Sequence, residues 1–199
     1  MKAVHVIAMI GLAAAAAAPA LGQSVINRSF EVGPNPGIGW TRVHMGSTVL
    51  NGWTVDRGNV DHVGSQWAAN DGTYSIDLNG NRHGRINQVI DTIPGMEYVV
   101  SFALSGNWGG VANKTLRVTA AQDTALYTVF TKNNNGANMN WTDQTFRFTA
   151  IGSTTKVLFA SQNRGSWGVA LDNININAVP APASALALAG LAGLRRRRR

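Results

Sequence analysis

Hydrophobic and polar residues alternate with a period of two along most of this chain. In residues 98–105 every second side chain is large and apolar, so one face of an extended strand would be hydrophobic. The same alternation occurs in residues 74–78, 116–120, 146–148, 157–159 and 174–176. No part of residues 23–178 has a sustained period of 3.6, which a helix buried on one side would show. The pattern therefore predicts a domain built of β-strands.

Turn-forming pairs separate these predicted strands at intervals of about ten residues. They are Asp71-Gly72, Asn79-Gly80, Pro94-Gly95, Gly109-Gly110, Asn135-Gly136 and Ile151-Gly152. Short alternating strands with this spacing are typical of two-sheet architectures. We therefore predict an all-β jelly-roll β-sandwich over residues 23–178. The Asn-rich segment 133–140 is expected to be an exposed, mobile loop.

The first 22 residues have the organisation of a removable signal peptide. Lys2 precedes an uncharged run over residues 4–18, and Ala20-Leu21-Gly22 forms a small-x-small cleavage site. The alternative is a buried helix, which six consecutive alanines disfavour because they fill little core volume. This segment predicts export of the protein through the cell's export machinery.

The segment 179–199 combines a proline motif, an apolar run and a basic end. Val179-Pro180-Ala181-Pro182 is followed by Ala, Leu and Gly residues up to position 194 and by five arginines that begin at Arg195. This order resembles the PEP-CTERM sorting signals of Gram-negative bacteria, although Ala181 stands where Glu is usual. The resemblance implies cleavage by an exosortase-like membrane protease and transfer of the protein to the cell surface. The alternative is a basic, Ala-rich tail without a sorting role.

The apolar run is short for a membrane span. Residues 181–194 number 14, and as a helix they would reach about 21 Å across a hydrocarbon core of roughly 30 Å. Such a segment suits transient rather than permanent anchoring. The terminal arginines would stay on the cytoplasmic side, which places residues 23–178 outside.

Most of the net positive charge belongs to the two end segments. Lys2 and the arginines from Arg195 onward are six of the 17 basic residues, which leaves 11 basic against 10 acidic residues between them. Residues 23–178, the body of the chain, are therefore nearly neutral, which argues against nucleic-acid binding. The chain contains no cysteine, which excludes disulfides, thiol catalysis and thiolate metal sites.

A series of short motifs resembles the choice-of-anchor C domain of bacteria, in the same order along nearly the whole body. They include Asn27-Arg28-Ser29-Phe30-Glu31, Gly52-Trp53-Thr54-Val55, Val60-Asp61-His62-Val63-Gly64, Ile76-Asp77-Leu78-Asn79-Gly80, Ser101-Phe102-Ala103-Leu104-Ser105-Gly106-Asn107 and Ala170-Leu171-Asp172-Asn173-Ile174. That domain is similar to a plant cell-wall family of unknown biochemical function and to galactose-binding-like jelly rolls. The resemblance implies a surface or matrix protein, with glycan binding among its roles.

The same resemblance implies a structural calcium ion. Jelly-roll carbohydrate modules commonly hold one where the first and last strands meet, and Glu31 and Asp172 match those places. Calcium prefers oxygen ligands, and a carbonyl such as that of Gly33 would complete the set. Asp172 shares a predicted strand face with Ile174 and Ile176, so its charge would point inward unless neutralised. The alternative is a salt bridge to an arginine such as Arg28.

Tryptophan is the strongest sign of a ligand surface. Four tryptophans lie in predicted loops, within two residues of Gly, Asn or Ser; they are Trp67, Trp108, Trp141 and Trp167. Sugar rings stack on indole while amide and carboxylate groups bind the hydroxyls. Trp108, next to Asn107, is the first candidate platform, with Arg82 and His83 as polar neighbours. The alternative for each loop tryptophan is packing over the sandwich edge, and Trp40 and Trp53 are predicted core residues.

Sequence motifs for catalysis are missing. The chain has no G-x-S-x-G elbow and no H-x-H or H-E-x-x-H zinc pattern. His62 is predicted at an outward or edge position with a solvated or backbone-bonded ring, and Asp77 is predicted to point away from the core and bind loop amides. We assign no catalytic residue. The sequence favours a carbohydrate-binding module that contacts exopolysaccharide, over a structural or adhesive surface protein and, third, a polysaccharide-acting enzyme.

Overall fold

The computed structural model describes residues 22–23 and 25–180, and this part of the chain forms twelve strands. Almost all of the predicted signal peptide and the sorting segment from Ala181 onward lie outside the described residues. The strands are β1 (Gly22–Gln23), β2 (Trp40–His44), β3 (Thr54–Arg57), β4 (Asn59–Val63), β5 (Ser75–Asp77), β6 (Arg85–Asp91), β7 (Glu97–Gly106), β8 (Asn113–Ala120), β9 (Asp123–Phe130), β10 (Thr142–Thr149), β11 (Thr154–Ser161) and β12 (Val169–Ala178). Within this described part, no helix is long and apolar enough to cross a membrane.

The strands form two sheets in which every pairing is antiparallel. The seven-stranded sheet has the order β10-β7-β12-β5-β4-β2, and β1 pairs with the C-terminal half of β12. The five-stranded sheet has the order β3-β6-β11-β8-β9. Most neighbours are distant in sequence, so the chain crosses between the two sheets repeatedly. The predicted all-β jelly-roll sandwich is confirmed.

The core lies between the sheets and is built from the apolar face of each strand. In β8 exposed and buried positions alternate along the whole strand, as the period of two predicts. Aromatic rings fill the centre: Phe159 meets Trp53 and Phe102 edge-on, with ring centroids 6.0 and 5.5 Å apart. Trp53 is 1% exposed, which confirms its predicted place in the core.

A β-bulge in β12 changes which face Asp172 occupies. The register with β7 shifts between Asp172 and Asn175, and Asn173 adopts a positive φ of 49°. Leu171 and Ile174 are three positions apart, so regular alternation would place them on opposite faces of the strand. Both are nevertheless fully buried in the core. Asp172 therefore lies on the opposite face from Ile174, and the prediction that they share a face was wrong. The bulge inserts one residue, which simple alternation does not anticipate.

Candidate functional site

A line of polar side chains crosses the outer face of the seven-stranded sheet. Arg42 of β2 pairs with Asp61 of β4, Asp61 pairs with Asp77 of β5, and Asp77 pairs with Ala170 of β12. The adjacent residues on each strand point into the core; they are Val43, Val60, Ile76 and Leu171. Because side chains alternate along a strand, the polar line points away from the core. The line forms the floor of a cleft.

Four tryptophans surround this floor. Trp40 lies on β2, and the other three lie in loops that follow β4, follow β7 and precede β12; they are Trp67, Trp108 and Trp167. The cleft has a volume of about 370 Å³, within the range of small-molecule sites. Its remaining lining is largely polar and includes Gln66, Asn79, Asn107 and Ser166. We call this the tryptophan cleft.

One of the four tryptophans is buried and packs against a neighbouring indole, and the other three are partly exposed. Trp67 is 4% exposed; its Nε1 donates to Ser75 Oγ at 2.8 Å and its ring meets Trp108 edge-on at 5.9 Å. Trp40, Trp108 and Trp167 are 47%, 37% and 52% exposed. These three indoles present apolar surface at the cleft, and Trp67 holds one of them in place.

Trp40 is partly exposed at the cleft, so the prediction that it lies in the core was wrong. It lies on β2, at the edge of its sheet, and its face alternates with that of the buried Val43. The guanidinium of Arg42 lies 4.8 Å from the centroid of its ring, within cation–π range. Alternation within β2 shows that Trp40 and Val43 lie on opposite faces of the strand, but it does not show which of the two faces packs against the second sheet. Whether Trp40 is buried depends on that packing.

Asp77 is buried in the floor and anchors two loops. Its Oδ1 accepts the backbone N–H groups of Asn79 and Gly168, at 2.8 and 2.9 Å, and its Oδ2 accepts Nδ2 of Asn107 at 3.0 Å. Burial raises the pKa of Asp77 to about 7, against the lowering effect of these three hydrogen bonds. The prediction that Asp77 binds loop amides is confirmed.

Asp61 and Arg42 neutralise each other beside Asp77. Nε of Arg42 lies 2.9 Å from Oδ1 of Asp61, and both side chains are largely buried. Burial raises the pKa of Asp61, while the hydrogen bond and charge of Arg42 act in the opposite direction. Burial also disfavours the charged form of Asp77, so the floor is strongly polar but carries little net charge.

Lys114 fixes the loops that carry two of the tryptophans. It is 1% exposed, and its Nζ donates to the carbonyl oxygens of Gly109 and Trp167, both at 2.6 Å. Burial lowers the pKa of Lys114, and the charge of Asp77 partly offsets this. Trp167 has a positive φ of 62°, which is rare for an aromatic residue. The buried ammonium thus holds Trp167 in a conformation that its backbone does not favour.

The structure brings four of the seven predicted binding residues into the cleft: Trp67, Trp108, Trp167 and Asn107. Trp141 packs beside the cleft against the cluster of Val63, Trp67, Met139 and Ala170, and its Nε1 donates to the carbonyl oxygen of Ala68. Arg82 lines a separate depression with His44 and Met45. His83 is exposed and does not line the cleft, although it forms an isolated bridge with Asn79, which does.

Sequence reasoning missed Trp40, Arg42, Asp61 and Gln66 as cleft residues. Alternation places Asp61 and Asp77 on the polar faces of two strands, but only the β4–β5 register shows that they are neighbours. The segment 133–140 is a largely exposed loop, as expected, but two of its residues are buried. Asn134 donates to Ser105 Oγ and to the Gly106 carbonyl oxygen, and Met139 is 1% exposed. These contacts pack part of the segment against the end of β7.

The residues predicted to bind calcium hold backbone amides instead. Oδ2 of Asp172 accepts the N–H groups of Asn70 and Asp71 at 2.8 and 3.0 Å, and its Oδ1 accepts that of Asn173. Oε1 of Glu31 accepts the N–H groups of Thr73 and Tyr74. The two carboxylates thus fasten the ends of one loop.

This donor arrangement does not fit a calcium ion in the conformation described. N–H groups of the loop point at the Asp172 and Glu31 oxygens that would be the calcium ligands. Among the described residues, no group of three or more His, Asp or Glu side chains is placed to hold a metal. Arg28 forms its salt bridge with Asp71, at 2.9 Å, and not with Asp172 or Glu31. Calcium binding therefore stays an untested prediction of the sequence, and it would require this loop to rearrange.

His62 is fully buried and lies on the core-facing side of β4, like Val60. The prediction of an outward or edge position was therefore wrong. Its two ring nitrogens lie 2.8 Å from the carbonyl oxygens of Pro34 and Phe30. The prediction of a backbone-bonded ring is confirmed. The ring therefore fastens the 30–34 segment to β4 and takes no part in the cleft.

The fold and the cleft define a two-sheet β-sandwich with an aromatic-lined surface site. The chain belongs to the DUF642 family, described as a protein of unknown function, whose family model matches residues 23–177. It is also 33% identical over 133 residues to halomucin of Haloquadratum walsbyi, an alignment that covers 65% of this chain and 1% of halomucin.

Among solved structures, this chain is similar to carbohydrate-binding modules. The tandem CBM22-1–CBM22-2 domain of Xyn10C from Paenibacillus barcinonensis matches with a TM-score of 0.50 and 20% identity, over 83% of this chain and 49% of that one. TmCBM61, solved in complex with β-1,4-galactotriose, matches with a TM-score of 0.47 and 16% identity, over 75% of this chain and 94% of that one. At these identities the likeness concerns the fold.

Proposed function

We propose that this protein is a non-catalytic glycan-binding module that binds sugar rings in the tryptophan cleft. The observation that carries the proposal is the grouping of three partly exposed indoles around a polar floor in one cleft of about 370 Å³. Indole faces stack on the C–H faces of sugar rings, and amide and carboxylate groups hydrogen-bond the hydroxyls. The floor carries little net charge, because Arg42 offsets Asp61 and burial disfavours the charged form of Asp77. A floor of this kind suits an uncharged sugar.

The carboxylates of the cleft support a binding role over catalysis. Hydrolysis of a glycosidic bond generally needs two carboxyl groups free to act as acid and as base or nucleophile. Here Asp61 is paired with Arg42, and both oxygens of Asp77 accept hydrogen bonds from the protein. Both groups are therefore committed to holding the site together.

A glycan array with the full chain tests the proposal. Trp40→Ala and Trp108→Ala each remove an exposed ring from the cleft, and we expect each to weaken binding about tenfold or more. Ile38→Ala is the matched control, because Ile38 is an apolar side chain that is 97% exposed outside the cleft lining. Absence of glycan binding, or equal losses in all three variants, would overturn the proposal.

The location of the protein is part of the proposal. Residues 1–22 would direct export, and residues 179–199 would act as a PEP-CTERM-like signal for an exosortase-like protease, as in choice-of-anchor C proteins. The module would then bind exopolysaccharide at the surface or in the matrix of a Gram-negative bacterium. Cell fractionation with mass spectrometry of both termini tests this: a protein with both termini intact in the cytosol would contradict it.

A second candidate function is adhesion through self-association. Leu126 and Phe130 are each 61% exposed on β9, which lies at the edge of its sheet. An edge strand with exposed apolar side chains is a template for strand pairing. Sedimentation velocity over a range of concentrations distinguishes the two roles, since adhesion predicts assembly that Phe130→Ser abolishes and that the cleft variants leave intact.

A further inference from the structure

Three arginines form a line across the outer face of the five-stranded sheet, on the side of the sandwich opposite the tryptophan cleft. Arg57 of β3 pairs with Arg85 of β6, Arg85 pairs with Ala160 of β11, and Ala160 pairs with Arg117 of β8. The residues beside Arg85, Ala160 and Arg117 in sequence are core residues, among them Ile86, Phe159, Leu116 and Val118. A bulge between Val55 and Arg57 places Arg57 opposite Arg85 and so on the same outer face. We call the three arginines the arginine row. They point away from the core.

The row is continuous because its central residue is small. Neighbouring strands lie about 4.8 Å apart, so the row spans roughly 14 Å from β3 to β8. Ala160 is only 5% exposed although it lies on an outer face, which shows that longer side chains cover it. Arg85 and Arg117, on the two adjacent strands, are the side chains in register with it.

The positive charges of the row are incompletely neutralised. Asp56 binds Arg85, with its Oδ1 2.6 Å from Nε, and its other oxygen accepts Nδ2 of Asn87. Arg57 donates to the carbonyl oxygen of Ser161 at 3.1 Å, and its buried Nε has no acceptor. Within the part of the chain that the structure describes, Arg117 has no carboxylate partner. Three guanidinium groups thus share one carboxylate.

The proximity of these charges raises the free energy of the unliganded surface. Burial lowers the pKa of Arg57, and the charges of Arg85 and Arg117 lower it further, against the opposing effect of Asp56. An oxyanion would relieve this repulsion, because a guanidinium binds carboxylate or sulfate oxygens through two parallel N–H donors.

We propose that the arginine row binds an acidic polysaccharide through its carboxylate or sulfate groups, at a second site independent of the tryptophan cleft. An extended, flat line of charge matches negative groups that repeat along a chain better than one small anion. Threonine hydroxyls lie on both sides of the row on the same face, in the hydrogen-bonded pairs Thr115–Thr128 and Thr119–Thr124. These hydroxyls are available to sugar hydroxyl groups beside the bound anions.

Binding of the full chain to dextran sulfate, polygalacturonate and neutral dextran tests the proposal. We expect binding to at least one of the acidic polymers and none to dextran, and the two acidic polymers tell sulfate from carboxylate. The double variant Arg57→Gln/Arg117→Gln should bind at least about tenfold more weakly. The control Lys132→Gln/Arg147→Gln removes two exposed positive charges, the second of them on the other sheet, and should change binding less than twofold. Melting temperatures of both variants verify that they fold.

A chemical footprint separates the row from the terminal arginines. Phenylglyoxal modifies exposed arginines, and mass spectrometry of peptides reads each position. Bound polymer should protect Arg57 and Arg117 but not Arg147, which is exposed on the other sheet. Protection confined to residues 195–199, equal losses in both double variants, or tighter binding of an oligonucleotide than of either polymer would overturn the proposal. Trp40→Ala should leave acidic-polymer binding unchanged, which keeps this test separate from that of the cleft.

Discussion

Asp77 and Asn107 are joined by a hydrogen bond of 3.0 Å that connects the end of β5 to the end of β7 below the tryptophan cleft. Asn107 directly precedes Trp108, and its Oδ1 accepts the N–H group of Gly109. Asp77 also accepts the N–H group of Gly168, next to Trp167. One buried carboxylate therefore positions the two loops that carry two of the exposed indoles.

We predict that stability falls as pH rises from about 4 to about 7. The pKa values of Asp77 and Asp172 are raised by burial from 3.8 to about 7 in the folded chain. In this window the folded state holds protons that the unfolded state has released, so folding takes up protons and higher pH opposes it. Each group contributes on the order of 2 kcal/mol between pH 5 and pH 8.

Urea unfolding of the wild type and of Asp77→Asn at pH 5 and at pH 8 checks the prediction. The asparagine keeps an acceptor for the two backbone amides but cannot titrate, so the difference between the two pH values should shrink by about half. Asp91→Asn, at an exposed position, should leave the difference unchanged. A wild-type protein that is more stable at pH 8 than at pH 5 would contradict the argument.

Lys114→Met should loosen the tryptophan cleft and destabilise the fold. The change keeps the apolar stem but removes the ammonium that binds the carbonyl oxygens of Gly109 and Trp167. Leaving these carbonyls without a donor costs about 2 to 4 kcal/mol of the free energy of unfolding. Denaturant unfolding measures the loss, and Lys132→Met at an exposed position is the control. Unfolding at the same denaturant concentration in both variants would show that the contacts matter little.

Gly109→Ala should weaken glycan binding with little effect on folding. A Cβ at this position would lie 2.7 Å from ring atoms of Trp167, so the indole must move. We expect affinity to fall about tenfold, because a displaced ring no longer stacks on the sugar. At Gly152 the nearest atom to an added Cβ is 3.6 Å away, so Gly152→Ala is a matched control. Titration calorimetry with the best array ligand measures both.

Asp172→Ala should be among the most destabilising single changes outside the core. It removes the acceptor of three backbone N–H groups, those of Asn70, Asp71 and Asn173, at the bulge of β12. Leaving several of these groups without partners costs about 2 to 5 kcal/mol. Thermal unfolding measures the loss, and Asp143→Ala, at an exposed position of β10, should unfold like the wild type.

The role of calcium is decided by the melting temperature with excess chelator and with added calcium. Because Asp172 and Glu31 already accept backbone amides, we expect the same melting temperature in both conditions. A rise of several degrees with calcium would instead show that the loop of residues 70–74 rearranges to release its oxygens. A magnesium control distinguishes a specific ion from ionic strength.

Local periodicity carried much of the prediction of the fold. The alternation in residues 98–105 predicted β7 and its buried face, because a strand repeats every two residues whatever its neighbours are. It failed at β12, where the bulge after Asp172 inserts a residue, and at Trp40, whose outward face depends on which side of β2 meets the other sheet. Neither feature has a signature within its own strand.

The sequence by itself determined the strand-forming segments, the absence of cysteine chemistry and the group of loop tryptophans rich in polar neighbours. Only the tertiary structure decided that Trp40, Trp67, Trp108 and Trp167 surround one cleft, and that Arg57, Arg85 and Arg117 form one line. The physical reason is that both arrangements are made by antiparallel pairing between strands far apart in the chain. The register of those pairings is set by packing of the whole core and not by any local run of residues.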